Sequence, residues 1–550
     1  MKYKEWLRPY RIVIILLILT ALSLRIPILK VRFFDPDEFQ HLHSARQIYH
    51  GQLPYRDYFE HHTPLIHFIL STFYPFFGEE IRILFAARFF MLILTCVILY
   101  LTYFLGKTVY DTDTGLFAAL FLAYNIMFLE KTLEIRPDLG AVNFWLLALI
   151  FTAKGIQSIT TAAKRSPVFY FAAAGLAMGT AVMFTQKSLF AFGGLCLSFL
   201  WMIFDPRIKA TIKRKIQLSA ICIAFVMVSI ALVCIYFLIN KGLWNFINYN
   251  FIMNSQWKYK FWPYNYIKRL ISQNPFFCII SILGVLIAQF WIYRRDKIYR
   301  GSVILVLSSY VLVGGLFIMP VPYRQYYQLF LPLLAIHMGL VFKLLSDIKP
   351  RVVITALKDR SIKTSELIFC IIVLIPASIG LYYTLQMAKP VFMESRSIYL
   401  LIWGIIAVLA IPLFIINRAK YAMLLISIGI ISYPFQQTID QLKQKNDGQL
   451  AAIRYIMDIT DENDSVLDGW SGYGFLREHA YRYYFLHYEM KEMLTEKQLS
   501  LDIIESLEKK KTKVIIYDGS IQSLPGKLQE YIKLKYKPSG FGNIWVRKEV

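Results

Sequence analysis

Apolar runs dominate this chain, broken by short polar or basic stretches. Those at 12–24, 83–105, 216–239 and 367–385, with their flanks, are long enough to cross about 30 Å of hydrocarbon at about 1.5 Å per helical residue. They are apolar on all sides, where a soluble helix would show a 3.6-residue stripe. About thirteen spans are predicted, near 11–29, 83–106, 114–130, 139–154, 168–185, 188–204, 217–239, 274–293, 302–319, 327–345, 367–386, 397–417 and 420–435. The first run is followed by Arg25, Pro27, Lys30 and Arg32 rather than a small-residue cleavage site, so it reads as a retained span and not a signal peptide.

With the N-terminus in the cytoplasm, the even-numbered connections are cytoplasmic. They include 205–215, 293–300 and 349–363, all strongly basic, as the positive-inside rule requires. The odd count places everything after the last span outside. That tail, 436–550, is polar. It mixes helical patterns (449–458, 499–509, 527–533) with short β patterns (465–467, 513–517, 543–546), punctuated by glycines. The expected organisation is an all-α polytopic membrane domain over 1–435 and a small extracytoplasmic α/β domain over 436–550. The tail's role is read as structural or acceptor-facing.

Composition agrees with the class: 57% of residues are hydrophobic and only 17% charged. The net charge of +24 lies largely in loops where topology explains it, so no nucleic-acid partner is expected. Cys96, Cys196, Cys222, Cys234, Cys278 and Cys370 all sit in apolar runs, which indicates neither a disulfide framework nor a Cys metal site.

Between the first two spans, roughly 30–82, the pattern changes. Asp35, Asp37, Glu38, Asp57 and Glu60 share a short segment with His41, His43, His50, His61 and His62, and His67 follows. Ionisable groups gathered at one membrane edge mark a functional site. Asp35-Pro36-Asp37-Glu38 reads as a helix start, with Asp35 as N-cap, Pro36 in the first turn and Glu38 closing a capping box. Asp37 is then left without structural duty, ionised by the helix dipole and suited to act as a general base. His41, one turn on, shares its face. Arg136, Lys187 and Arg324 fall at outer ends of spans, where topology alone would not put them, and are the candidates for a phosphate-bearing ligand. The loop from Lys241 to Arg269 is also basic, with Trp244, Trp257 and Trp262 as interface anchors.

The segment DPDEFQHLHSARQIYHGQLPYRDYFEHHTPL resembles the first outer loop of lipid-linked-sugar glycosyltransferases with the GT-C fold, and more closely the protein O-mannosyltransferase and aminoarabinose transferase branch. Asp37-Glu38, Gly51, Tyr55 and Pro64 carry the match. FTQKSL around Lys187 is similar to the family's Thr-Lys turn, with Gln186 intervening, and PYRQYYQLFLPLLAI (322–336) to its late aromatic-basic loop. The resemblance implies an inverting transfer of a sugar from a polyisoprenyl-phosphate donor to a hydroxyl of a protein, lipid or glycan, on the outer face of the cell membrane. Asp37 and Glu38 are then the catalytic pair. Lys187, Arg324 and Arg136 meet the donor phosphate, and His41, Tyr55, His62, Tyr323 and Tyr327 hold substrate. No cofactor is required by this scheme; the histidines leave open a divalent metal on Asp35, Asp37, His61 or His62. The rival reading is a polyisoprenoid-linked glycan transporter or flippase, which would show internal repeats and charges near the midplane.

Overall fold

The computed structural model describes residues 8–160, 166–257, 260–293, 301–347, 405–406, 408–413, 416 and 418–548. Among these, eleven of the thirteen predicted spans coincide with a helix or a helix pair. The spans expected at 367–386 and 397–417 lie outside the described residues, apart from a few positions after 404, as do the loops 294–300 and 348–363. Seven described helices are long and apolar enough to cross a membrane, among them Pro9–Val31, Arg82–Val109 and Ile212–Ile239. The expected total of thirteen is therefore matched only as far as the described helices go.

The predicted span at 114–130 is broken. Thr112–Ala123 and Ile126–Thr132 meet at a bend of 69°. Asn125, in extended conformation, ends the first piece and caps the second by accepting from the Phe128 N–H at 3.0 Å. Backbone groups freed at a break inside a bundle must find partners there. The Arg25 Nη2 donates to the Ala123 carbonyl at 2.9 Å, and the Ile126 N–H donates to Asn274 Oδ1 at 3.0 Å. The bend swings Glu130, Lys131 and the turn at Glu134–Arg136 toward the acidic loop.

The first helix links two charge clusters. Near its start, the Tyr10 hydroxyl, Arg11 and Lys420 all bond Asp113. Beyond its other end, Arg32 bonds Glu134 at 2.7 Å. The acidic loop therefore sits at one end of the bundle, and the polar tail packs against it. Gln449 exchanges two hydrogen bonds with the Phe34 backbone, and the Phe59 N–H donates to the Arg482 carbonyl at 3.0 Å.

That tail holds a five-stranded sheet in the order β2-β1-β3-β5-β4. The strands are β1 (Ser465–Asp468), β2 (Glu478–His479), β3 (Val514–Ile516), β4 (Tyr536–Pro538) and β5 (Ile544–Arg547). β1 runs parallel to β2 and β3, while β5 is antiparallel to β3 and β4. Helices Asp447–Ile459, Leu501–Lys509 and Gly526–Lys535 accompany it. All three predicted helical patterns and all three β patterns have their counterparts; β2 and β4 are additions.

Candidate functional site

The acidic loop opens as its capping pattern requires. Pro36–Tyr49 is a helix, with Asp35 as N-cap and a complete capping box to Glu38. The Asp37 N–H donates to Asp35 Oδ1 at 3.1 Å, and the Asp35 N–H to Glu38 Oε1 at 2.9 Å. After the C-cap at His50, Gly51 takes a φ of +80°, the left-handed turn that glycine makes without penalty, and sends the chain back across the bundle.

Glu38 needs correction as a catalytic residue. Its side chain and that of Arg88 are both fully buried and pair at 2.7 Å. The Ile135 N–H also donates to it, at 3.1 Å. Arg88 spends its remaining donors on the carbonyls of Leu29, Arg32 and Phe33 and lies over the Phe34 ring. Glu38 thus locks the loop to the second span and does not reach the cavity. Arg88 was the missed signal: a lone arginine within an apolar run needs a buried partner.

A cavity of about 770 Å³ lies between the acidic loop, the turns at Lys131–Arg136 and Gln186–Phe190, the segments 250–257 and 318–326, and the sheet-bearing tail. Asp37, His62, Arg136, Lys187, Tyr323 and Arg324, named from four separate stretches, all line it. Tyr55 and Tyr327 do not. Tyr55 is buried against Phe237 and Phe246 and donates to the His62 carbonyl at 2.6 Å, while the Tyr327 hydroxyl goes to the Pro263 carbonyl at 3.2 Å. His41 sits one layer behind His62, its Nδ1 3.0 Å from His67 Nε2.

Asp37 is not without a partner. Arg136 Nη1 approaches it at 2.7 Å and Nη2 approaches Asp35 at 3.1 Å, while Nε bonds Glu134. Glu134, itself held by Lys131 and Arg32, therefore orients a guanidinium that grips both aspartates. Arg136 spends its donors on carboxylates, which fits a positioning role better than the phosphate contact expected of it. Burial opposes charge on Asp37, but Arg136, with His41 and Lys131, outweighs it and holds the carboxyl below its ordinary range. Asp35 goes the other way: burial, only partly offset by Arg136 and reinforced by Glu134 and Asp37, pushes it up to about 6.

Lys187 is the contrasting cation. Its Nζ lies 3.9 Å from the Tyr326 ring centroid, and no described carboxylate pairs with it. Burial lowers its pKa, with Asp138 opposing that shift. An ammonium at a cavity wall with no described carboxylate in ion-pair contact is suited to meet an anion. Arg324 is already paired with Glu130 at 2.9 Å, as is Arg269.

Glu60 was named only as a member of the acidic cluster, and Glu130, Glu134 and Tyr326 were not foreseen as site groups. Glu60 is buried and accepts from Ser44, His62 and the backbone N–H groups of His61 and His62. Ligand atoms of Glu60, His61 and His62 lie within 4.8 Å of one another, a group that could hold a metal ion. Asp35 and Asp37 face Arg136 instead of joining it. Burial, then the charge of Lys187, keeps His62 well below its ordinary pKa and neutral.

Residues 61–234, less than half of the chain, match the family model described as dolichyl-phosphate-mannose-protein mannosyltransferase. No curated protein sequence matches the chain. Among solved structures it is similar to ArnT from Cupriavidus metallidurans bound to undecaprenyl phosphate, at 13% identity and a TM-score of 0.59, with 97% of each chain covered. It is also similar to the oligosaccharyltransferase AglB of Archaeoglobus fulgidus in complex with an inhibitory peptide and a dolichol-phosphate, at 11% identity and a TM-score of 0.54, covering 100% of this chain and 75% of that one. A further structure of the A. fulgidus enzyme, in complex with Zn and sulfate, gives 11% identity and a TM-score of 0.55, with 94% and 71% covered. The chain is therefore a multi-pass membrane protein with the GT-C fold, and the resemblance of its first outer loop to the O-mannosyltransferase and ArnT branch extends to the architecture as a whole.

Proposed function

We propose that the protein is a glycosyltransferase that moves a sugar from a polyisoprenyl-phosphate donor to an acceptor hydroxyl at the outer face of the membrane. The observation that carries this reading is the meeting, in one cavity, of an ionised aspartate and a lysine with no carboxylate in ion-pair contact among the described residues. Asp37 takes the proton of the acceptor hydroxyl, whose oxygen bonds to the anomeric carbon as the bond to the phosphate oxygen breaks. The electron pair leaves with the lipid phosphate. That leaving group is already anionic and needs positive charge rather than a proton; Lys187 supplies it, and Arg324, paired with Glu130, lines the same cavity. A single displacement of this kind inverts the anomeric centre. Leu189, Phe190 and Ile318 give the same cavity an apolar wall suited to the lipid.

The test is turnover. Reconstituted protein is incubated with a panel of polyprenyl-phosphate sugars and release of the lipid phosphate is followed. Release with at least one donor is expected. Failure with all of them, together with movement of a lipid-linked sugar between leaflets, would favour transport instead.

A further inference from the structure

The cavity has a wall that the transfer chemistry above leaves unused. Trp470, His487, Tyr488, Glu489 and Ser520 line it, all from the sheet-bearing tail. Sheet topology delivers them. β1 lies between its two parallel neighbours, so the chain leaves β1 to one side for β2 and passes to the other side for β3. Ligands bind outside the carboxyl ends of parallel strands at such a reversal. Trp470 follows the end of β1, residues 487–489 follow β2, and Ser520 follows β3.

This crevice is built rather than incidental. The Leu486 N–H donates to the Gly469 carbonyl at 2.8 Å, which lays the first two connections side by side. Asp518 accepts from the Trp470 N–H and from the Ile521 N–H, both at 2.9 Å, and so ties the third to the first. Beneath them, buried Asp468 accepts from the Ser471 hydroxyl at 2.9 Å. His487 lies 5.0 Å from the Trp470 ring and 6.0 Å from that of Trp257 across the cavity. The Tyr323 hydroxyl donates to Glu489 at 2.9 Å, fixing the carboxylate.

Resting on the transferase reading, we infer that this crevice is the acceptor subsite and that it takes a saccharide ring. Aromatic faces carry negative charge and attract the C–H face of a pyranose, while Glu489 and Ser520 offer hydrogen bonds to its hydroxyls. Asp37 and Lys187 line the same cavity, so a sugar seated here presents a hydroxyl to the base. One common way to hold an extended peptide acceptor is to pair it with an open strand edge. No residue of edge strands β2 or β4 lines the cavity.

The test separates binding from turnover. Binding of hexose disaccharides to the purified full chain is followed by tryptophan fluorescence, with Ser/Thr-containing hexapeptides as the rival probe. Ser520→Phe fills the crevice and Tyr488→Ala removes its exposed ring; neither residue is buried. Both should weaken disaccharide binding at least tenfold, Tyr488→Phe should restore it to within twofold, and affinity for polyprenyl phosphate should stay within twofold. Unchanged disaccharide affinity in both variants overturns the inference. So does a wild-type protein that binds the peptides but no disaccharide, or neither probe. Donor turnover is assayed separately: its absence refutes the transferase reading, whereas disaccharide binding insensitive to Ser520→Phe and Tyr488→Ala refutes the present inference.

Discussion

Asp35 and Asp37 meet the same guanidinium, yet burial and neighbouring charge drive their protonation apart. Asp35 caps a helix, a duty that asparagine performs about as well, so Asp35→Asn should keep most activity. Asp37→Asn keeps the shape and removes the base; kcat should fall by roughly a hundredfold to ten-thousandfold with donor binding retained. On acidification Asp35 takes up its proton first, near pH 6, while Asp37 stays charged until below its ordinary value of 3.8. Protonating Asp35 removes the same charge as Asp35→Asn, so the pH–rate profile should show only a shallow step near 6, absent in Asp35→Asn, above one acid limb below 3.8. Persistence of the upper inflection in Asp35→Asn would remove Asp35 as its source. Lys187→Ala should cost about a hundredfold in kcat or more, the scale of one preorganised transition-state contact. Near-normal turnover would reduce Lys187 to an anchor for lipid headgroups.

The helix Pro36–Tyr49 shows both how much the chain discloses locally and where that stops. Its start, cap and capping box follow from four consecutive residues, because each depends only on groups within one turn. The span positions were legible for the same reason, since lipid sets a length. The bend at Asn125 was not: its freed backbone is satisfied by Arg25 and Asn274, about a hundred residues away or more. Glu38 shows the consequence for energetics. Read locally, Glu38→Gln is mild, because glutamine completes a capping box. With Arg88 buried against it, the same change leaves an uncompensated charge and should cost about 3–5 kcal/mol. Thermal unfolding in detergent checks this, and Arg88→Met added to Glu38→Gln should recover part of the loss. A Glu38→Gln protein as stable as wild type would show that the pair contributes no stability.

Across the whole molecule, the cavity is closed by the tail, whose docking depends on close approach. Gly472, at a φ of +80°, brings its backbone so near the Pro36–Tyr49 helix that an added Cβ would lie 2.6 Å from Phe39 Cβ. The aspartates and the sheet must then share one side of the membrane, and the basic loop at 205–215 should occupy the other. Single cysteines report this. Ser471, within the docked turn and bonded to Asp468, is a poor position, whereas Lys527 and Lys213 are exposed. Described native cysteines are buried or half-buried, which limits background. With an impermeant maleimide, Lys527→Cys should react in intact cells, or in spheroplasts where an outer membrane intervenes. Lys213→Cys should react only after lysis. The reverse pattern would place Asp37 and Lys187 in the cytoplasm, and the outer-face transfer proposed here would fall with it.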